Sequence, residues 1–278
     1  MRVAFLGPAG TYAEEALRVS APGLVEEVSY ASVYEAVMAV QNGEAERAVV
    51  PIENSLEGSV SATLDVLAAE ATDVRIAAEV DLAIHHCLIA RDGTSVERVE
   101  RVLSHPQATA QCARFLRERL PDAERANTPS TAEAVRMVAA EQHPWAALGS
   151  RFAADLYGCQ VLDDQVADSE DNVTRFVWLA PESEPGDPEA AKTSIVFWGF
   201  NDQSPGALVD VLRELADRGI NLTKIESRPR RVRLGHYMFF ADLDGAESDP
   251  VVREALDRLR ARVETLRVLG SYSAIAPR

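Results

Sequence analysis

Lysine is nearly absent from this chain. Lys192 and Lys224 are the only two in 278 residues, so arginine supplies almost all of the 28 basic side chains set against 44 acidic ones, for a formal net charge of −16. That balance argues against nucleic acid and anionic membranes as partners, since both need cationic patches. Excess acid with little lysine fits either a salt-rich cytoplasm or GC-rich coding. Cysteine is scarce too. Cys87, Cys112 and Cys159 are odd in number, widely spaced and set among apolar neighbours. No CxxC occurs, so neither a disulfide framework nor a zinc site is expected, and the thiols read as reduced core residues. No apolar run approaches the ~20 residues that span a bilayer. The N-terminus shows no basic segment before an apolar one, and a cytoplasmic protein is expected. No Gly-Lys-Ser/Thr follows the first glycine turn, which excludes a Walker-type phosphate loop. No cofactor motif or cluster of metal ligands is seen, so neither a cofactor nor a metal is expected.

What is present is an ordinary globular composition, 47% hydrophobic and 26% charged, long enough for one large or two smaller domains. Arg2 to Leu6 predicts a strand, Gly7-Pro8-Ala9-Gly10 a turn, and Thr11 with Glu14 the capping box of a helix. This layout aims free N–H groups at an anion, and it equally describes a plain capped βα turn. A helix follows over 32–42, with Val33, Ala36, Val37 and Val40 on one face. Ala48 to Ile52 is then a buried strand, whose polar end Glu53-Asn54-Ser55 opens another helix over 62–71. In open α/β sheets such strand-to-helix loops gather around the ligand. Residues 76–84 read as one or two strands. His85 and His86 follow and point to opposite faces, which excludes a shared metal; a structural role is the expectation, with one of the two lining the cleft as the alternative. Ser104 with Gln107, and Ser130 with Glu133, repeat the capping-box spacing, Pro106 suits a first helical turn, and Ser150 caps one more helix. An acidic loop, Asp168 to Asn172, then feeds a short strand containing Thr174, Arg175 and Phe176.

These segments predict alternating β and α, an α/β sandwich with its polar loops directed at one cleft. Residues 181–192 are proline-rich and acidic, a linker by composition. Beyond it, strands over 193–200, 220–227, 236–242 and 266–272, with helices over 204–217 and 249–262, give the order βαββαβ of a ferredoxin-like unit.

The chain resembles, over essentially its whole length, the prephenate dehydratases that carry a C-terminal ACT domain. The likeness rests on Gly7-Pro8-Ala9-Gly10-Thr11, Pro51-Ile52-Glu53-Asn54-Ser55, Ser104-His105-Pro106-Gln107 with Gln111 and Cys112, Ser130-Thr131-Ala132 and Asn172-Val173-Thr174-Arg175-Phe176. Toward the C-terminus it rests on Pro205-Gly206-Ala207-Leu208 and Glu226-Ser227-Arg228-Pro229. Each motif is weak alone; together, at these spacings, they are specific.

The resemblance implies a catalytic domain over 1–180 with two lobes of the periplasmic-binding-protein type, lobe 1 about 1–78 plus 160–180 and lobe 2 about 79–159. An ACT regulatory domain follows over 193–278. It implies conversion of prephenate to phenylpyruvate, water and CO2, and regulation by L-phenylalanine at an interface between subunits of a homodimer or homotetramer. Because Met1 leads directly into the first strand, a monofunctional chain is expected rather than one fused to a chorismate mutase. Thr174 would assist the leaving hydroxyl. Thr11, Asn54, Ser55, Ser104, Gln111, Ser130 and Thr131 would hold carboxylates, with Arg175 and Phe176 also in contact with substrate. Glu53 is a possible acid, though a solvated or bridging role fits it as well, and Arg175 could instead face away into an ion pair. Pro205, Gly206, Ala207, Leu208, Asn221, Leu222, Glu226, Ser227 and Arg228 form the expected effector site, with turn and dimer contacts as the plainer alternative. Rival readings are an arogenate dehydratase, a non-catalytic amino-acid or organic-anion sensor on the same fold, and a periplasmic binding protein.

Overall fold

A computed structural model of the chain describes residues 1–184, 186–200 and 204–277; Pro185, within the expected linker, lies outside the described residues. The chain opens with β1 (Arg2–Leu6), and α1 (Tyr12–Ser20) follows a turn whose Gly7–Pro8 peptide is cis. Thr11 caps α1 by accepting the Glu14 N–H at 3.4 Å. The Glu14 carboxylate returns to the Gly10 N–H, at 2.6 Å, so the capping box closes one residue upstream of its usual place. β2 (Glu26–Tyr30), α2 (Val33–Gln41), β3 (Arg47–Asn54), the short β4 (Gly58–Ser59), α3 (Ser61–Ala69) and β5 (Val74–Ala83) complete the first pass. Residues 76–83 thus fall in a single long strand, and Ile84 lies just beyond its end.

The second lobe comprises β6 (Cys87–Ala90), β7 (Arg101–Ser104), α4 (Pro106–Gln111), α5 (Ala113–Arg119), β8 (Glu124–Asn127), α6 (Thr131–Ala140), β9 (Trp145–Gly149), α7 (Arg151–Tyr157) and β10 (Gln160–Asp163). The chain then returns as β11 (Val173–Pro181), which inserts antiparallel between β3 and β5. Sheet membership shifts the expected lobe boundaries. The first sheet, β2-β1-β3-β11-β5, keeps the chain to Ala83, and β10 pairs with β6 in the second sheet, β10-β6-β9-β7-β8. Residues 160–163 therefore belong to the second lobe, because their partner strand lies there.

The C-terminal unit has β12 (Lys192–Trp198), α8 (Ala207–Ala216), β13 (Leu222–Pro229), β14 (Tyr237–Asp244), α9 (Pro250–Arg260) and β15 (Thr265–Tyr272). Its sheet order, β13-β14-β12-β15, is that of a ferredoxin-like fold. Ile195, Phe197, Ala241 and Leu243 turn toward α8 and α9 and form that unit's own core. The other sheet face, with Val196, Phe240, Leu269 and Tyr272, joins one apolar core with Val177 and Leu179 of β11 and residues of α2 and α3. Arg267 extends this contact by donating to the Leu67, Ala68, Ala71 and Thr72 carbonyls at the end of α3. Among the described residues no helix is long and apolar enough to cross a membrane.

Gly270 lies where β15 crosses β5. A Cβ there would stand 2.2 Å from the Ile76 carbonyl oxygen, and backbone cannot yield as a flexible side chain does. Gly270→Ala should therefore cost at least about 1–3 kcal/mol, read from the urea midpoint. An unchanged midpoint would show that the crossing is looser than this geometry.

Candidate active site between the lobes

Residues of both lobes line a cleft of about 250 Å3. That is near the lower end of ligand pockets and suits a small metabolite. The first lobe contributes Leu6, Thr11, Tyr12, Pro51, Asn54, Ile84, Asn172, Thr174 and Phe176 among others; the second contributes His86, His105, Gln107, Pro129, Ser130 and Thr131. Of the expected site residues, Thr11, Asn54, Ser130, Thr131, Thr174 and Phe176 line the cleft. No arginine or lysine lines it among the described residues.

Thr174 and Asn54 are cross-strand partners on β11 and β3. Asn54 Nδ2 donates to Thr174 Oγ1 at 2.9 Å and to Asn172 Oδ1 at 2.7 Å. Asn54 Oδ1 accepts the Leu56 and Glu57 N–H groups, both at 3.0 Å, which fixes the amide orientation. With an acceptor lone pair so engaged, the Thr174 hydroxyl keeps its own proton to offer. Thr174 is 9% exposed, and that exposure is onto the cleft.

A second chain of hydrogen bonds braces the wall. Gln111 Oε1 accepts from Asn172 Nδ2 and lies 3.1 Å from His86 Nε2, while Gln111 Nε2 reaches Glu57 at 3.4 Å. The Tyr12 hydroxyl stands 3.0 Å from His86 Nδ1 and 2.8 Å from the His85 carbonyl oxygen. A neutral His86 protonated at Nε2 donates to Gln111 Oε1, and its Nδ1 then shares the single Tyr12 hydroxyl proton with the His85 carbonyl. Burial pushes its pKa below the ordinary 6.5, the Gln111 hydrogen bond opposes this, and His85 adds to it. Since the native value is the lower one, an unfolded chain takes up a proton near pH 6.5 that the native protein does not. His86 therefore contributes its full stability above pH 6.5 and loses it as pH falls through the native value. In urea unfolding, the advantage of wild type over His86→Gln should shrink between pH 7.5 and pH 5.5. A pH-independent difference would contradict this.

Helix starts provide the remaining polarity. The Tyr12 and Ala13 N–H groups open α1, and those of Thr131 and Ala132 open α6, so none has an intrahelical acceptor. Ser130 itself caps α6, accepting the Glu133 N–H at 3.0 Å, and Thr11 donates to the Leu6 carbonyl at 2.7 Å. Ser130 thus keeps its own proton, whereas Thr11 has already given its proton to Leu6.

Five expected site residues lie elsewhere. Ser104 is fully buried and donates to the Leu148 carbonyl; His105 caps α4 in its place, accepting the Gln107 N–H at 3.3 Å. The capping box at Ser104 fails because β7 runs through that residue. Ser55 clamps the acidic loop, donating to the Asp171 carbonyl and accepting the Val173 N–H. Gln111 braces His86 and Asn172 and does not itself line the cleft. Arg175 points to the opposite sheet face, toward Glu53, Glu79 and Asp242, and Glu53 meets Arg175 and Lys224 there. Burial works against the Arg175 charge, but Asp242, Tyr272, Glu53 and Glu79 outweigh it and hold it protonated. Neither residue can touch a ligand in the cleft. Tyr12, His86, His105, Gln107 and Asn172 are cleft residues that sequence reasoning did not assign. His105 and Gln107 were signalled by flanking Pro106, while nothing in the sequence marked which of His85 and His86 faces inward.

The expected effector residues do not form one site within a protomer. Gly206, at φ 88°, starts α8 with Ala207 and Leu208 in its first turn, whereas Asn221 and Leu222 follow its far end. Ten residues of helix separate them by about 15 Å. Glu226 and Arg228 share the β13 face turned toward the catalytic unit, where Arg228 bonds Asp65 at 2.6 Å and Ser61 at 2.6 Å. Ser227 points the other way, as strand alternation requires.

Residues 3–184 match the family model described as prephenate dehydratase, and residues 193–261 match that of the ACT domain. Prephenate dehydratase from Amycolatopsis methanolica is 39% identical over 274 residues, covering 98% of this chain and 88% of its own length. Arogenate dehydratase/prephenate dehydratase 2, chloroplastic, from Arabidopsis thaliana is 40% identical over 289 residues, covering 98% and 72%. The solved structure of prephenate dehydratase from Arthrobacter aurescens in complex with L-Phe has a TM-score of 0.89 at 38% identity, covering 98% of this chain and 90% of that one.

Proposed function

This chain belongs to the prephenate dehydratase family, and from that membership we propose that its interlobe cleft turns prephenate into phenylpyruvate, water and CO2, with Thr174 assisting departure of the ring hydroxyl. The observation that carries the reading is the Asn54–Thr174 hydrogen bond, which leaves the Thr174 proton available to the cleft.

The ring carboxylate leaves as CO2. Its bonding electrons form the aromatic ring, the C–O bond to the ring hydroxyl breaks, and the departing oxygen takes up a proton to become water. Aromatisation supplies the driving force. A threonine hydroxyl is too weak an acid to give up its proton outright. Its role is a hydrogen bond that strengthens as negative charge grows on the leaving oxygen. With no arginine or lysine among the described residues that line the cleft, the two carboxylates are held by the opening N–H groups of α1 and α6 and nearby hydroxyls. Leu6, Ile84 and Phe176 supply the apolar wall against which the ring lies.

Control is assigned to the ACT domain, as feedback inhibition by L-phenylalanine in a homodimer or homotetramer. The separation of Gly206–Leu208 from Asn221–Leu222 favours a site completed by a second copy. A cytoplasmic location goes with a biosynthetic step of this kind. The test is steady-state turnover of prephenate and arogenate side by side, with and without millimolar phenylalanine, together with sedimentation. Prephenate should be the better substrate, phenylalanine should suppress its turnover, and the protein should sediment above its monomer mass. Preference for arogenate would move the chain to the arogenate dehydratases; indifference to phenylalanine would remove the regulatory half.

A further inference from the structure

Thr174 and Asn54 are not the only notable pair on their two strands. The next cross-strand pair is Arg175 with Glu53, 3.0 Å apart, and alternation turns it to the opposite sheet face. There it meets the ACT sheet. Arg175 Nη1 lies 2.9 Å from Asp242 on β14 and 3.1 Å from Glu79 on β5; Lys224 on β13 lies 3.2 Å from Glu53; Lys192 on β12 lies 2.5 Å from Glu79. Both lysines of the chain are thus in this one cluster, whose ion pairs join three cations to three carboxylates, with Asp81, the β5 partner of Arg175, near enough to interact with them. Arg175 is largely buried, with 11% of its side chain exposed, and Asp242 also accepts the Ser194 hydroxyl at 2.6 Å.

We propose that Glu53 and Arg175 are positioning residues, through which β13 and β14 of the ACT domain set the register and spacing of the Asn54–Thr174 pair. Each catalytic-face residue is covalently next to a residue anchored to the ACT sheet, so a shift of β13 or β14 pulls on both strands that frame the Thr174 hydroxyl. A one-residue offset in the peptide chain is a short and stiff connection. The cluster is also the route by which an effector on the ACT domain would reach turnover, and in that respect it rests on the dehydratase reading.

The test uses Asp242→Asn and Lys224→Gln in the full-length protein, both on the ACT side and away from the cleft. Hydrogen exchange followed by mass spectrometry should show faster exchange at 51–57 and 171–177 in both variants, with β7 unchanged. Their kcat for prephenate should fall about tenfold with KM little altered, and Arg175→Lys should keep more activity than Arg175→Met. Unchanged exchange in the two segments overturns the proposal, as does a uniform rise that includes β7, which would mark the cluster as merely structural. If Asp242→Asn does not fold, Lys224→Gln decides alone. Exchange needs no turnover, so a wild type silent on prephenate would strike the dehydratase reading and leave this result standing.

Discussion

Replacing Thr174 with valine should lower kcat for prephenate about 10²–10³-fold, the usual cost of one preorganised donor to a developing oxyanion. Valine matches threonine in shape and keeps the β-branched side chain that suits β11. Asn54 Nδ2 would retain two acceptors, Asn172 Oδ1 at 2.7 Å and the Val173 carbonyl at 3.3 Å, so the fold should survive. Because the lost interaction grows in the transition state, KM should change far less than kcat. Thr174→Ser, which restores the hydroxyl, should recover most of the rate. Circular dichroism and the urea midpoint distinguish this result from misfolding, and a valine variant with near-normal kcat would remove Thr174 from the chemistry.

Asn54 should be the more damaging position overall. Its amide donates to three acceptors and receives two backbone N–H groups in a buried setting. Asn54→Ala strands the Leu56 and Glu57 donors and the Asn172 carbonyl oxygen, for a stability loss of about 2–4 kcal/mol in urea unfolding. Asn54→Asp separates the two roles. It keeps the acceptor for the two N–H groups, yet places a carboxylate where an N–H faced Thr174. The threonine proton would then turn to that carboxylate and away from the cleft. Stability should fall less than in Asn54→Ala, while kcat falls at least as far as in Thr174→Val. The Asn54→Asp/Thr174→Val double variant should be little worse than either single one, since both remove the same hydrogen bond. Additive losses would show two independent functions.

Local chemistry made much of this structure readable in advance. Thr11, Ser130 and Ser150 each cap the helix that the sequence placed after them, and the βαββαβ order of the C-terminal unit follows from its apolar periods. Failures arose where a residue's partner is distant in sequence. Alternation tells that Thr174 and Arg175 face opposite ways, but not that a second sheet waits on the Arg175 side. Glu53, next to Asn54, was open to a role as acid or as a solvated or bridging residue; only the packing of β13 and β14 shows Lys224 and Asp242 there. Ser104 carried a cap signature that the strand before it overrode. Arg228 suggested an effector ligand, whereas Asp65 of α3 claims it across the domain contact.

The most direct measurement follows prephenate, phenylpyruvate and CO2 together over time in the purified protein. The account predicts equal molar loss of prephenate and gain of both products, with no added metal or cofactor, and near-abolition in Thr174→Val. A folded wild type that binds prephenate without forming phenylpyruvate would contradict it and leave a ligand sensor built on a dehydratase fold.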